Sequence, residues 1–392
     1  MAKIAIISTS LGGHIRPAIR LGAVLARQGH TVLIWAGEAF RIPIQEAGCA
    51  FHPLNPIPYP WPFRGPVGFA ATLAGATADC VEALVSELLD NEVELVVHDD
   101  HAPWGRVAAD FLRLPRIASS PLFPNSTPLF PSLARFWFRR LPRSSHEAEL
   151  ALRRSRDAIA RRWGVDLGPW HDVMVQSAPL TISFTTAEIS GKIELQSGWR
   201  YVGPLMGPAP ARALPSERPL VYVAFGTYFS HRSRPFEVAI EALAEEPVDV
   251  LVATGAGMTQ RGFDFGPLPE NVELHRFVRS REVLARASVH ITHAGCGSVH
   301  ESLLAGVPMV CLPQGSDHWA WCQRVRALGA GRIVEPNPAD VRAAVRELLG
   351  DEEMHARTSA LGRRLEEYDG EGEVAIVLEQ ALARSSPASA PG

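Results

Sequence analysis

Lysine is almost missing from this chain. Of 392 residues only Lys3 and Lys192 carry it, so nearly all the positive charge is arginine. Lys and Arg together number 38 against 42 acidic residues, a formal net charge of −4. That balance lacks the clustered basic face of a nucleic-acid binder, and nucleic acid is not expected as a partner. Cysteine is sparse as well. Cys49, Cys80, Cys296, Cys311 and Cys322 form no Cys-x-x-Cys pair and no regular spacing. This excludes a disulfide framework and fits reduced, packed thiols in a cytoplasmic protein. No cleavable leader is legible at the N-terminus, and no window approaches the ~18 apolar residues of a membrane span, so stable membrane insertion is not expected. Neither Gly-x-Ser-x-Gly nor a Gly-Lys-Ser/Thr phosphate loop occurs, which counts against hydrolase and NTPase classes. Gly255-x-Gly257 lacks the third glycine of the dinucleotide fingerprint.

What is present describes a globular protein: 46% apolar and 20% charged residues, in a length that fits two domains of roughly 200 residues. Short apolar runs at 3–8, 31–35, 95–98 and 116–119 read as buried strands separated by helical stretches. The second half repeats the scheme at 220–225, 248–253, 289–291 and 309–312. Alternation of this kind implies parallel sheets covered on both faces. The Pro/Gly run Gly203–Pro210 can continue neither helix nor central strand. The expected division is therefore a domain over 1–205, a linker over 206–218 and a domain over 219–384 whose last helix is free to pack back on the first. Residues 385–392 form a small-residue tail, expected to be disordered.

The stretch Ala287–Gly331 is the most informative. An apolar strand ends in His293, then a turn Gly295-Cys296-Gly297-Ser298 opens a helix with Glu301 one turn in. A second strand, 309–312, delivers Gly315, Asp317 and His318 into another loop. A strand, a Gly/Ser turn and a helix N-terminus make an anion site, because free backbone N–H groups and the helix dipole favour phosphate there. His293 adds a donor, and Glu301 can accept from sugar hydroxyls. The stretch suits a nucleotide or phosphorylated sugar.

Residue by residue it resembles the donor signature of the family 1 nucleotide-sugar glycosyltransferases, which include plant secondary-product enzymes and bacterial macrolide-type ones. The likeness spans essentially the whole chain. It implies an α/β fold of the GT-B type, two facing Rossmann-like doubly wound domains with a cleft, and transfer with inversion from a UDP- or dTDP-sugar. By this resemblance His293 contacts a phosphate, and Gly295 and Gly297-Ser298 wrap the diphosphate. Glu301 binds ribose, Asp317-His318 hold the sugar, and Phe225-Gly226-Thr227 brings Thr227 to the same phosphates. Phe277-Val278-Arg279-Ser280 stands where a Trp-Val-Pro-Gln type sequence is usual, with Phe277 still able to stack on a base. His318 replaces the usual Gln, and Gly297 an Asn common in plant members.

Glycosyl transfer also needs a base for the acceptor hydroxyl. His14, after Gly12-Gly13 just beyond the first strand, is placed to serve, with Gly13 allowing close approach to the donor. The family's base matches His14 and its acidic partner matches Asp99, with Asp100 the alternative if the register slips by one. His98-Asp99-Asp100-His101 looks like a metal cluster, but alternation along a strand is expected to keep four adjacent ligands apart. No metal and no cofactor are expected. Ala102-Pro103-Trp104-Gly105 resembles macrolide-type bacterial members. Two insertions, Pro53–Pro66 with Tyr59, Trp61 and Phe63, and Pro121–Pro142 with Phe123 and Phe130, are aromatic-rich. They suit a small hydrophobic acceptor such as a polyketide, macrolide or flavonoid. A homodimer stays open. So do three alternatives: a transferase acting on a lipid-linked sugar at the membrane, a silent partner protein of the same fold, and a nucleotide-sugar 2-epimerase.

Overall fold

The computed structural model describes residues 1–57, 65–123, 146–191, 197–211, 217–226, 232–255, 264–315 and 317–383. They fall into two compact units. The first comprises Met1–Phe184, Ile193–Leu205 and Asp369–Gly392; the second comprises Thr185–Lys192 and Met206–Tyr368.

In the first unit seven parallel strands form one sheet. They are β1 (Lys3–Ile7), β2 (Thr31–Ala36), β3 (Ala50–Pro53), β4 (Leu95–Asp99), β5 (Arg116–Ser120), β6 (Leu180–Ser183) and β7 (Trp199–Tyr201). Their order is β3-β2-β1-β4-β5-β6-β7. β1 pairs β2 on one side, with Ile7 beside Trp35, and β4 on the other, with Ile7 beside His98. Its residues Ile4, Ala5, Ile6 and Ile7 are fully buried, as expected of a parallel strand covered on both faces. Helix α1 (Gly12–Arg27) lays Ile15, Ala18, Leu21, Val24 and Leu25 on that sheet, a stripe of helical period.

Helix α2 (Arg41–Glu46) adds Ile44 to the same core as α1. Further helices of the unit are α3 (Gly65–Asp90), α4 (Pro103–Leu112), α5 (His146–Trp163) and α6 (Trp170–Met174). The expectation of no membrane-length apolar window is corrected by α3, whose 26 residues are long and apolar enough to cross a membrane by length and composition. It packs on α4, α5 and α6 and buries Phe69, Leu73, Thr77, Leu84 and Leu88. Contact with three neighbours demands apolar residues around most of its circumference, so a core helix accounts for the composition.

The second unit holds a six-stranded parallel sheet: β8 (Leu220–Ala224), β9 (Asp249–Ala253), β10 (Val272–His275), β11 (Ala287–Thr292), β12 (Met309–Cys311) and β13 (Gly331–Ile333). The order is β10-β9-β8-β11-β12-β13. Its helices are α7 (Ala187–Ser190), α8 (Arg234–Leu243), α9 (Ser280–Leu284), α10 (Cys296–Leu304), α11 (His318–Ala327), α12 (Pro338–Gly350) and α13 (Glu352–Glu366).

Two segments sit apart from the division expected at 205, 218 and 384. The final helix α14 (Gly370–Ala383) goes with the first unit, because Val374, Val377, Leu378 and Ala381 join the core of β1 and α1. Thr185–Lys192 goes with the second. There the Thr185 hydroxyl lies 2.9 Å from His300 Nε2, and Arg324 donates to the carbonyls of Ile189 and Glu188.

Each sheet has one topological switch point, where the connections diverge: between β1 and β4 in the first, between β8 and β11 in the second. Ligands in open α/β sheets bind beyond the carboxyl ends of strands at such points. His14 follows β1 and Asp99 ends β4; Gly226 and His293 follow β8 and β11.

Candidate active site

In the first unit α1 begins at Gly12, earlier than the loop reading implied, so His14 stands in its first turn and not ahead of it. Only 8% of His14 is exposed. Its Nδ1 lies 3.0 and 2.9 Å from the two carboxylate oxygens of Asp99, the last residue of β4. A carboxylate can only accept, so Nδ1 carries the hydrogen. The neutral ring is left with Nε2 as its acceptor.

The next two residues depart from expectation. β4 stops at Asp99 and the chain turns, so the alternation that was to separate these side chains ends there. Asp100 Oδ1 lies 3.5 Å from His14 Nδ1 and 3.3 Å from His101 Nδ1. The two imidazole rings are 4.5 Å apart, and the His101 backbone N–H donates to Asp99 Oδ1 at 2.9 Å. Asp100 is therefore not an alternative to Asp99 but a second buried carboxylate beside the same histidine. Burial works to raise the Asp100 carboxyl. The pull of His101 and His14 and a 2.6 Å hydrogen bond from Ser120 Oγ outweigh it and hold the group below its ordinary value. His98 alone turns away. It is wholly buried, and burial with the nearby Arg116 guanidinium pushes its pKa down to about 3. His98 to His101 do not converge as a set of four, but ligand atoms of Asp100, His101 and the more distant His14 lie within 4.8 Å of one another.

In the second unit β11 ends at Thr292 and the chain passes through His293, Ala294 and Gly295 into α10. The His293 ring is gripped by two glycines. A Cβ on Gly226 would come within 2.8 Å of its Cε1 and Nε2, and one on Gly295 within 2.6 Å of Nε2. Gly226 also holds a left-handed backbone at φ 69°. Ala294 is left-handed too, at φ 59°, a conformation that costs a non-glycine residue about 1–2 kcal/mol. Its N–H is caught by Thr292 Oγ1 at 3.2 Å. The first intrahelical bond of α10 runs from Val299 N to Gly295 O. The N–H groups of Cys296, Gly297 and Ser298 thus start the helix without intrahelical acceptors, the arrangement that receives an anion.

His293 is buried, and burial lowers its pKa to about 4 against the opposing pull of the Ala224 carbonyl. His318 meets it edge-on at 4.4 Å. Burial, then the proximity of His293 and Arg232, pushes His318 well below its ordinary value. Both rings are neutral at pH 7. Asp317 immediately precedes α11, and its Oδ2 accepts from the Trp321 indole N–H at 3.0 Å. Glu301 Oε2 accepts from Ser280 Oγ at 2.7 Å, which joins the expected ribose-binding acid to the Phe277–Ser280 segment. Phe277 is 57% exposed, with the Arg276 guanidinium 5.5 Å from its ring centre, while Val278 packs against the Tyr222 and Leu251 cluster.

Gly13 is exposed and Gly297 has open space beside it. Phe123 is buried just beyond β5. Thr227, Tyr59, Trp61, Phe63 and Phe130 lie outside the described residues. Ser120 and Trp321 escaped the sequence reading, which named Ser280 only within the Phe277–Ser280 segment and His101 only within the metal-like run. Only the Asp317–Trp321 pair had a local signal, being four apart on one helix face.

Residues 239–376 match the family described as Erythromycin biosynthesis protein CIII-like, C-terminal domain. The chain is 24% identical over 403 residues to 4'-demethylrebeccamycin synthase of Lentzea aerocolonigenes, covering 92% of this chain and 94% of that one. It is 25% identical over 404 residues to an NDP-glycosyltransferase of Bacillus licheniformis, covering 97% and 98%. The solved glycotransferase of kitacinnamycin superposes with a TM-score of 0.80 at 24% identity, covering 97% of this chain and 99% of that one. Two parallel α/β units of this kind define the GT-B glycosyltransferase fold. Across nearly its whole length the chain is similar to bacterial natural-product glycosyltransferases, which indicate a nucleotide-sugar-dependent glycosyltransferase.

Proposed function

We propose that this enzyme transfers a hexose from a UDP- or dTDP-sugar to a hydroxyl of a small hydrophobic natural product, with inversion and with His14 as general base. The observation that carries the reading is the 2.9 Å contact between His14 Nδ1 and Asp99 at the switch point of the first sheet. With Nδ1–H committed to Asp99, Nε2 is the atom that takes the acceptor's proton as its oxygen attacks the anomeric carbon. The resulting imidazolium is stabilised by Asp99, with Asp100 adding a second negative neighbour.

Attack opposite the departing diphosphate gives a single displacement and hence inversion. Negative charge grows on the diphosphate as the bond breaks. The first-turn N–H groups of α10 and a neutral His293 acting as donor are preorganised for that charge, a contribution often worth several kcal/mol. This scheme needs no metal ion. The hydrophobic acceptor is supported by the aromatic insertions and by the rebeccamycin and kitacinnamycin relatives.

The test is transfer from UDP-glucose and dTDP-glucose to a panel of macrolide, indolocarbazole and flavonoid aglycones, with the product's anomeric configuration read by NMR. A β-linked product from the α-linked donor is expected. An α-linked product, or hydrolysis alone with every aglycone, would count against the reading.

A further inference from the structure

Negative charge collects on the departing diphosphate, yet His293 and the first-turn N–H groups of α10 offer it no full positive charge. We propose that Arg232 supplies that charge, binding the diphosphate and gripping the released nucleotide more tightly than the intact donor. This rests on the second unit being the donor site.

Three neighbouring strands of the second sheet end level with one another. Thr292, the last residue of β11, pairs with Ala224 of β8 on one side and Cys311 of β12 on the other. His293 follows directly, between the loops that leave β8 and β12. Arg232 stands two residues before α8, at the far end of the first of these loops. Its Nη1 donates to the carbonyl of Gln314, in the second loop, at 3.0 Å. Gln314 is held in turn, its Nε2 donating to the Leu312 carbonyl at 3.1 Å. A guanidinium thus joins the two loops that flank His293. Arg232 is exposed, so a ligand reaches it from solvent. Its field is also felt by the buried His318 ring that packs on His293.

The charge count shows why this matters. His293 and His318 are neutral at pH 7, and a helix N-terminus amounts to about half a charge. A sugar nucleotide brings about two negative charges and the released nucleoside diphosphate about three, because a terminal phosphate has a second ionisation near pH 6. The added charge appears as the anomeric C–O bond breaks and its electron pair goes to the diphosphate oxygen, while the acceptor oxygen forms the new bond. Arginine is charged throughout the working pH range, and its planar fork matches phosphate. Attraction between full charges acts over several ångströms, so it does not require Arg232 to give up Gln314. An interaction that grows as the bond breaks lowers the barrier, and afterwards holds the product.

The test is calorimetry on the full chain with UDP, dTDP and their glucose donors, for wild type, Arg232→Gln and Arg232→Lys. Circular dichroism confirms that both variants fold. Arg232→Gln should lose about tenfold in affinity for the free diphosphate and only about threefold for the sugar nucleotide. Arg232→Lys should recover most of the loss, because it keeps the charge. Added salt should weaken UDP binding less in Arg232→Gln than in wild type. Equal losses for both ligands, or no recovery with lysine, would make Arg232 a strut between two loops and overturn the proposal. Unchanged UDP affinity in Arg232→Gln would overturn it as well. A wild-type chain that binds neither nucleotide would instead remove the donor-site reading, and this proposal with it.

Discussion

The imidazole of His318 meets that of His293 edge to face, with ring centres 4.4 Å apart and an interplanar angle of 83°. A residue expected to read the sugar and a residue expected to hold phosphate are therefore one packed pair. From spacing alone, His318→Gln should change sugar preference and spare the free nucleotide diphosphate. The contact revises that. The substitution should shift the rank order of kcat/KM among glucose, galactose and 6-deoxy donors, and also weaken diphosphate binding severalfold by releasing the His293 ring. Calorimetry with UDP and dTDP checks the second effect; an unchanged affinity would return His318 to a role on the sugar alone.

For the base, His14→Ala should lose transfer by roughly two orders of magnitude or more while nucleotide binding stays near wild type. Asp99→Asn should be nearly as damaging, because an amide can donate to Nδ1 and reverse the tautomer. Asp100→Asn should fall between Asp99→Asn and wild type, since Asp100 lies farther from the ring. Steady-state kinetics of the three variants gives the order. A silent Asp99→Asn beside an inactive Asp100→Asn would exchange their roles.

Gly226 and Gly297 offer a matched pair. Alanine at Gly226 meets a left-handed φ and the His293 ring at 2.8 Å; alanine at Gly297 meets nothing within 4 Å. Gly226→Ala should destabilise by about 1–3 kcal/mol and weaken diphosphate binding. Gly297→Ala should leave stability within about 0.5 kcal/mol. Denaturant unfolding of both variants decides it, and equal stabilities would argue against the close fit around His293.

Ser280→Ala removes the hydrogen bond that orients Glu301. At about 0.5–1.5 kcal/mol for one such bond, the affinity for UDP should drop two- to tenfold, while that for pyrophosphate, which has no ribose, should not move. Equal losses for both ligands would show that Glu301 does not serve the ribose.

Stability should fall in mild acid. Buried His98 and His290 titrate at about 3 and His293 at about 4, each lowered mainly by burial from an ordinary value of 6.5. Above pH 6.5 these rings are neutral whether the chain is folded or not. Below it the unfolded chain gains protons that the folded one refuses, so stability is lost as pH falls from 6.5 towards 4. Each ring contributes a slope of about 1.4 kcal/mol per pH unit in that window. Urea midpoints at pH 7.5, 6 and 5 should drop steadily, and His98→Gln should flatten the decline. A midpoint that holds from pH 7.5 to 5 would contradict the burial of neutral rings.

The alternating strands, the Pro/Gly joint, and the His293, Gly295, Ser298 and Glu301 run were legible because each is written in local spacing. A strand end, a turn and the helix after it occupy consecutive residues, and their period is visible without knowing what lies beside them. The strands that escaped, β3, β6, β7, β10 and β13, have three or four residues, and four of them are sheet edges with weak burial. A run that short, apolar on little of its length, has no period to read.

Tertiary structure decided the rest. His14 and Asp99 are 85 residues apart, and they meet because β4 pairs directly with β1. How Asp99 and Asp100 meet the histidine depends on where β4 stops pairing with β1 and β5. Likewise the apolar stripe of α14 is written in its residues, but the core it joins is not. Side-chain period is a property of one segment; the partner of each face is a property of the sheet order, and only the folded chain contains it.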